Sequence, residues 1–275
     1  MSAPDPSGPR PPVGDWLGTP FLRFERQGSI AVVVVDRPHR RNAMTPAMYF
    51  GVRCAVDHVN RSDDLAALVL TGTGDVFIPG GDLGGDQEDG WGDLPGLLHL
   101  DIVPFEAIRN SAKPVVAAVN GICQGGGLLI AMLCEVAVIS TAATFRAPEV
   151  LRGIADTGYA SLLPAQIGIA RARDMLLTGR TIDAETALGW GLMTRVAEPQ
   201  DVLGDAVEVA KQLARGGPGA RQVVKREIHR QYPRPDRMSM DESLHGPEPI
   251  EGFLAFKERR MPSWVPEDLR TDGRL

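Results

Sequence analysis

The sequence predicts an α/β fold with parallel strands, followed by a helical C-terminal region. Two observations carry this. β-branched runs such as Ile30 to Val35 recur between helical and glycine-rich stretches, and a strand–loop–helix–strand alternation implies parallel strands joined by right-handed crossovers. From about Ala170 onward the pattern turns mainly helical.

The start of the chain, MSAPDPSGPRPPVGDW, replaces any signal-type apolar segment with Pro and Gly, and residues 1–19 read as a disordered arm. Ile30 to Val35 suits a strand buried on both faces. Thr45-Pro46, a capping residue before a first-turn proline, opens a helix to about Asn60. Leu65 to Leu70 is the second strand, ended by Thr71-Gly-Thr-Gly74, and Phe77 to Gly85 is a glycine-rich loop. A helix over roughly Leu97 to Asn110 leads to a third strand after Pro114, and Val136 to Ser140 is the fourth. The helical part follows as Arg171 to Leu177, Asp183 to Trp190, Asp201 to Arg215, Gly219 to Arg230 and a last helix ending near Arg260.

Composition narrows the function. An apolar content of 43 % supplies a core, and a net charge of −6 with interspersed signs argues against nucleic acid and membrane surfaces. Cys54, Cys123 and Cys134 form neither a CxxC nor a Cys/His cluster, so no metal is expected and a reducing cytoplasm fits. The apolar run Leu128 to Cys134, stopped by Glu135, is too short to span a bilayer.

The triple glycine of Gln124-Gly-Gly-Gly-Leu128 follows a strand and opens a helix. A phosphate loop would need Lys and Ser or Thr after the glycines, and a dinucleotide fingerprint would need GxGxxG; neither is present. Backbone N–H groups at a bare helix start also suit an oxygen that gains charge during reaction. Gly126 would be one donor, and the Gly80-Gly81 loop would offer another. Two ordinary strand-exit turns are the plain alternative.

Six segments in order, RPHRRNAM (37–44), LTGTGDVFIPGGDL (70–83), KPVVAAVNGICQGGG (113–127), APEVLRG (147–153), LTGRTIDAETALGWGL (177–192) and AFKERRMPSW (255–264), resemble the crotonase superfamily of enoyl-CoA hydratases and isomerases. The resemblance implies a crotonase-like ββα spiral core over residues 20–198 and a helical C-terminal trimerisation region over residues 199–275. It implies acyl-CoA thioester substrates, homotrimers or hexamers, and no separate cofactor, because CoA belongs to the substrate. The oxyanion donors fall on Gly81 and Gly126.

Hydratases of the family use two glutamates. The second falls on Glu149, whereas Leu129 stands at the first position, one turn into the glycine-led helix. Leucine transfers no proton, so isomerisation of an enoyl-CoA by Glu149 alone is the leading expectation. A hydratase using Asp156 or a fixed water, a β-dicarbonyl hydrolase and a non-catalytic acyl-CoA binder are the alternatives. Without the resemblance, Glu149 reads as a first-turn acid and Asp156 as a turn residue bonding its own backbone. Tyr159 reads as packing, His99 and Asp101 as a solvated helix face, Asp82 as a loop brace and Glu135 as structural. Arg41, Phe256 and Arg259 match family positions that meet CoA, although a solvated charge cluster also accounts for the two arginines.

Overall fold

The computed structural model describes residues 16–83 and 103–270. Among the described residues ten strands fall into two sheets. The larger joins β1 (Leu22–Gln27), β2 (Ile30–Val35), β3 (Ala67–Gly72), β5 (Val115–Val119), β7 (Val136–Ser140) and β10 (Arg195–Ala197) in that order. The smaller joins β4 (Val76–Ile78), β6 (Ile122–Gln124), β8 (Thr144–Arg146) and β9 (Ile182–Asp183). Pairing is parallel throughout except at the β1–β2 hairpin and between β8 and β9. Three times in succession the chain leaves the large sheet and adds a strand to the small one, β3 to β4, β5 to β6 and β7 to β8. This gives the ββα spiral its turns.

Every residue of β2 is buried, as an all-apolar run requires. Helix α1 (Pro46–Arg61) covers one face, packing Val52, Val56 and Val59 into the cluster that holds Val33, Leu68 and Leu70. Helix α7 (Val202–Ala214) covers the other, with Ala206, Val207 and Ala210 in one cluster with Val32, Val69 and Val116. Each such valine or leucine contributes about 1.5–3 kcal/mol by leaving water. The first helix of the C-terminal region therefore closes the sheet.

The cap signal at Thr45 acts as read. Thr45 caps α1 through Met48 N–H at 3.2 Å, with Pro46 in the first turn. Asp183 caps α6 (Ala184–Trp190) through Thr186 N–H at 2.8 Å. Phe77 and Ile78, read as loop, belong to β4, and three further readings change. Leu17 and Thr19 are buried, so the last residues of the expected arm pack on the fold, while residues 1–15 lie outside the described residues. Of the helix expected from Leu97, the described part is α2 (Phe105–Arg109); positions 97–102, with His99 and Asp101, lie outside the described residues. The last expected helix is two, α9 (Arg237–Leu244) and α10 (Pro247–Glu258), preceded by α8 (Pro218–His229). Among the described residues no helix is long and apolar enough to cross a membrane.

Candidate active site

The site is assembled where three successive strand exits of the small sheet meet. The first is the Gly80-Gly81 loop after β4. Met44 N–H donates to the Gly80 carbonyl and Asp82 N–H to the Met44 carbonyl, both at 2.9 Å, which fixes this loop against the turn before α1. Arg37, wholly buried, ties the two together by an ion pair to Asp82 at 2.7 Å and a hydrogen bond to the Ala43 carbonyl at 2.9 Å. Asn42 adds a second clamp, accepting from Arg37 N–H and donating to the Val76 carbonyl at 2.7 Å. Asp82 thus braces the loop, as its position predicted.

The second exit is the triple glycine, and each glycine has its own reason. Gly125 has φ +51°, a backbone that side chains resist, and it stands against Gly80: a Cβ on Gly125 would lie 3.3 Å from the Gly80 Cα. A Cβ on Gly126 would collide with the Tyr49 hydroxyl, and one on Gly127 with the Ile78 carbonyl. Helix α3 (Gly126–Leu133) starts here, with Leu128 and Leu129 N–H bonded to the Gly125 carbonyl at 2.9 and 3.2 Å. The Tyr159 hydroxyl donates to the same carbonyl. Neither the Gly81 nor the Gly126 N–H has a hydrogen-bond partner among the described residues. Two free N–H groups on touching loops, one at a helix N-terminus, attract a partly negative oxygen.

The third exit supplies acids. After β8 the chain makes a short 3-10 helix, Glu149–Arg152, capped by Gly153 in the left-handed conformation, and then reaches Asp156. Asp156 caps α4 (Thr157–Ile167) by accepting from Tyr159 N–H at 3.1 Å. This is the backbone-bonding role that its turn reading described, and it employs one carboxyl oxygen. The Glu149 residue is partly exposed, yet its Oε2 is buried with no hydrogen-bond partner among the described residues. Burial above all, and then the charge of Asp156, pushes the Glu149 carboxyl up to about 8; Arg146 and Arg152 only partly offset this. Burial also raises Asp156, against the pull of the Tyr159 and Gly158 N–H groups. Near neutral pH the Glu149 carboxyl therefore holds a proton.

Leu129 is part of the same arrangement. A Cβ on Gly158 would lie 2.9 Å from Asp156 Oδ1 and 3.6 Å from Leu129 Cδ2, so the aspartate carboxyl and the leucine flank one bare backbone position. Leu129, Asp156 and Gly158 line an apolar cleft with Val103, Phe105 and Leu162. Asp156 thus brings a carboxyl beside Leu129.

The structure brings together Gly81, Gly126, Glu149 and Asp156. Arg41 lies in an exposed turn with φ +51°, three residues before the Met44 bridge to Gly81. Phe256 lies on α10, 4.5 Å beneath the Arg152 guanidinium, and Arg259 ends that helix with an exposed side chain in the left-handed region. Glu135 pairs with Lys225 at 2.5 Å and accepts from Val115 N–H, a structural role as read. Sequence reasoning missed Tyr49: its ring is buried and T-shaped to Phe105, and its hydroxyl faces Gly126. On an amphipathic helix it carries no signal apart from core packing. Among the described residues no group of three metal-ligating side chains occurs.

Comparison with known proteins identifies the family. The sequence profile described as enoyl-CoA hydratase/isomerase matches residues 25–267. The chain is 32% identical over 264 residues to the mevalonyl-coenzyme A hydratase sidH of Aspergillus fumigatus, covering 87% of this chain and 93% of that one. It is 33% identical over 267 residues to the carnitinyl-CoA dehydratase of Escherichia coli K12, covering 88% and 97%. Among solved structures, an enoyl-CoA hydratase/isomerase from Pseudoalteromonas atlantica T6c superposes with a TM-score of 0.74 at 29% identity, covering 89% of this chain and 100% of that one. A carnitinyl-CoA hydratase from Mycobacterium avium gives 0.71 at 29% identity, with 89% and 98% covered. The chain belongs to the enoyl-CoA hydratase/isomerase family, within the crotonase superfamily.

Proposed function

We propose that the protein adds water reversibly to a 2-enoyl-CoA, with Glu149 and Asp156 as the acid–base pair. One observation carries this choice over isomerisation: Asp156 sets a second carboxyl beside Leu129 and raises Glu149 by its charge. The names of the relatives, hydratases and dehydratases, point the same way. The thioester oxygen takes hydrogen bonds from Gly81 and Gly126 N–H, which draws electrons away from the double bond. Water attacks the β-carbon as the Asp156 carboxylate takes its proton. The enolate that forms is held by the two N–H groups, and protonated Glu149 delivers its proton to the α-carbon. Transfer of the proton from Asp156 to Glu149 resets the pair.

In this reading Arg41, Phe256 and Arg259 serve CoA, and no separate cofactor takes part. Val223, Val224, Ile228, Met238, Ile250 and Leu254 on α8–α10 are exposed apolar side chains, which supports self-association as a homotrimer or a hexamer.

Leu129 favours a second reading, in which Glu149 alone shifts a double bond by taking and returning one proton. Incubating the protein with 2-enoyl- and 3-enoyl-CoA, following hydration by mass and the position of the double bond by NMR, separates the two. Water addition to the 2-enoyl ester supports hydration. Conversion of the 3-enoyl ester with no hydrated product would establish isomerisation instead.

A further inference from the structure

Beyond the apolar cleft the same wall opens into a second pocket of about 700 Å³. The two share Glu106, Arg109, Pro235 and Arg237, so the second continues the first away from Asp156 and Leu129. Its described lining carries five arginines, Arg109, Arg226, Arg230, Arg234 and Arg237, against the single carboxylate of Glu106.

These charges are poorly neutralised. Glu106 stands 3.8 Å from Arg109 and 3.9 Å from Arg237, both beyond hydrogen-bond reach. Arg230 is paired with Glu227 at 2.6 Å, but Arg226 and Arg234 form no ion pair with any described residue. His229 stands in the same lining. Burial first, then Arg109 and Lys225, pushes its imidazole down to about 4, and its Nδ1 is buried without a partner among the described residues. A concave surface lined by five guanidinium groups, two of them without an ion pair among the described residues, attracts carboxylate or phosphate, which their planar forks bind in two-point fashion.

We propose that this pocket receives a carboxylate at the far end of the acyl chain, so that the substrates are CoA esters of dicarboxylic acids. The proposal rests on the acyl-CoA reading above and adds the identity of the chain end. CoA itself also carries anions, its phosphates. The pocket shares lining with the apolar cleft that holds Asp156 and Leu129, and this position assigns it to the acyl end. The same field would repel a chain ending in a cation.

The experiment uses the full chain with Glu149→Gln, so that ligands are bound and not consumed. Dissociation constants are measured by calorimetry for CoA and for matched trans-2-enoyl-CoA esters of six to ten carbons, one series ending in methyl and the other in carboxylate. The expected result is that one carboxylate-ended length binds about 10-fold or more tightly than its methyl counterpart. That advantage shrinks in high salt and disappears when Arg226→Gln and Arg234→Gln are combined, while the methyl-ended esters and CoA are unaffected. Equal or better binding of the methyl series at every length would overturn the proposal. So would a loss of affinity in the arginine variant shared equally by CoA and both series, since the pocket would then serve CoA phosphates. If no CoA ester bound at all, the acyl-CoA reading would fall and this proposal with it.

Discussion

The Glu149 carboxyl leans on the bare backbone of Gly125: its Oε1 lies 3.1 Å from the point where a Gly125 Cβ would stand. Gly125 also touches Gly80 and directly precedes the free N–H of Gly126. One glycine therefore joins the acid to both candidate oxyanion donors. Its positive φ sets the angle at which they meet. This contact ties acid–base chemistry and charge stabilisation into one rigid unit.

Glu149 should weaken the fold as pH rises. Its carboxyl titrates at about 8 in the folded protein, against an ordinary value of 4.5. Between these values the folded state binds the extra proton, so stability is lost as pH climbs through that window. Glu149→Gln escapes the loss. Its melting temperature should exceed the parent's by a margin that is small at pH 5 and grows by several degrees at pH 8. A margin unchanged between the two pH values would show that the carboxyl is not held protonated.

Asp156 should set the alkaline limit of activity. Its charge is the second cause of the raised Glu149, after burial, so Asp156→Asn lets the glutamate ionise at lower pH. The descending limb of kcat/KM, near pH 8 in the parent, should move to lower pH. The rate should fall about 10²-fold or more through loss of the water-activating carboxylate. A pH–rate profile that keeps its alkaline limb would remove Asp156 from the pair.

Gly127 should be intolerant for a reason of packing. A Cβ there overlaps the Ile78 carbonyl, a backbone atom that cannot swing aside. Gly127→Ala should cost about 1–3 kcal/mol in denaturant unfolding, by overpacking alone. A variant as stable as the parent would show that α3 is not pinned to β4.

Tyr159→Phe should separate support from chemistry. It removes the hydroxyl donor to the Gly125 carbonyl, which keeps Leu128 and Leu129 N–H as partners. A loss of about 1 kcal/mol in stability is expected, with modest change in activity. An activity loss as great as that of Asp156→Asn, without loss of stability, would make the hydroxyl a reacting group.

Much of this was legible in the sequence because it depends on backbone. β2 was read from its β-branched run, α1 from its cap, and the positions of Gly81, Gly126 and Glu149 from motif text. What was not legible depends on side chains meeting across the fold. Val76–Ile78 looked like loop because three residues between turn signals show no period. Asp156 looked like a turn residue, and it is a helix cap; its second property, a carboxyl beside Leu129, arises only when α4 docks on α3. Tyr49 gave no sign of facing Gly126. The arginines of the outer pocket come from α2, from α8 and from the stretch running into α9, and no local window joins them.

The central claim is that Glu149 and Asp156 together move protons while water adds to an enoyl thioester. The direct measurement is incubation of a 2-enoyl-CoA with the protein in D₂O, with product mass and deuterium position read by mass spectrometry and NMR. The account predicts a 3-hydroxyacyl-CoA with one deuterium on the α-carbon, and loss of its formation by about 10²-fold or more in Glu149→Gln with binding retained. Hydration unaffected by Glu149→Gln, or binding of the ester with neither hydration nor deuterium at the α-carbon, would contradict it.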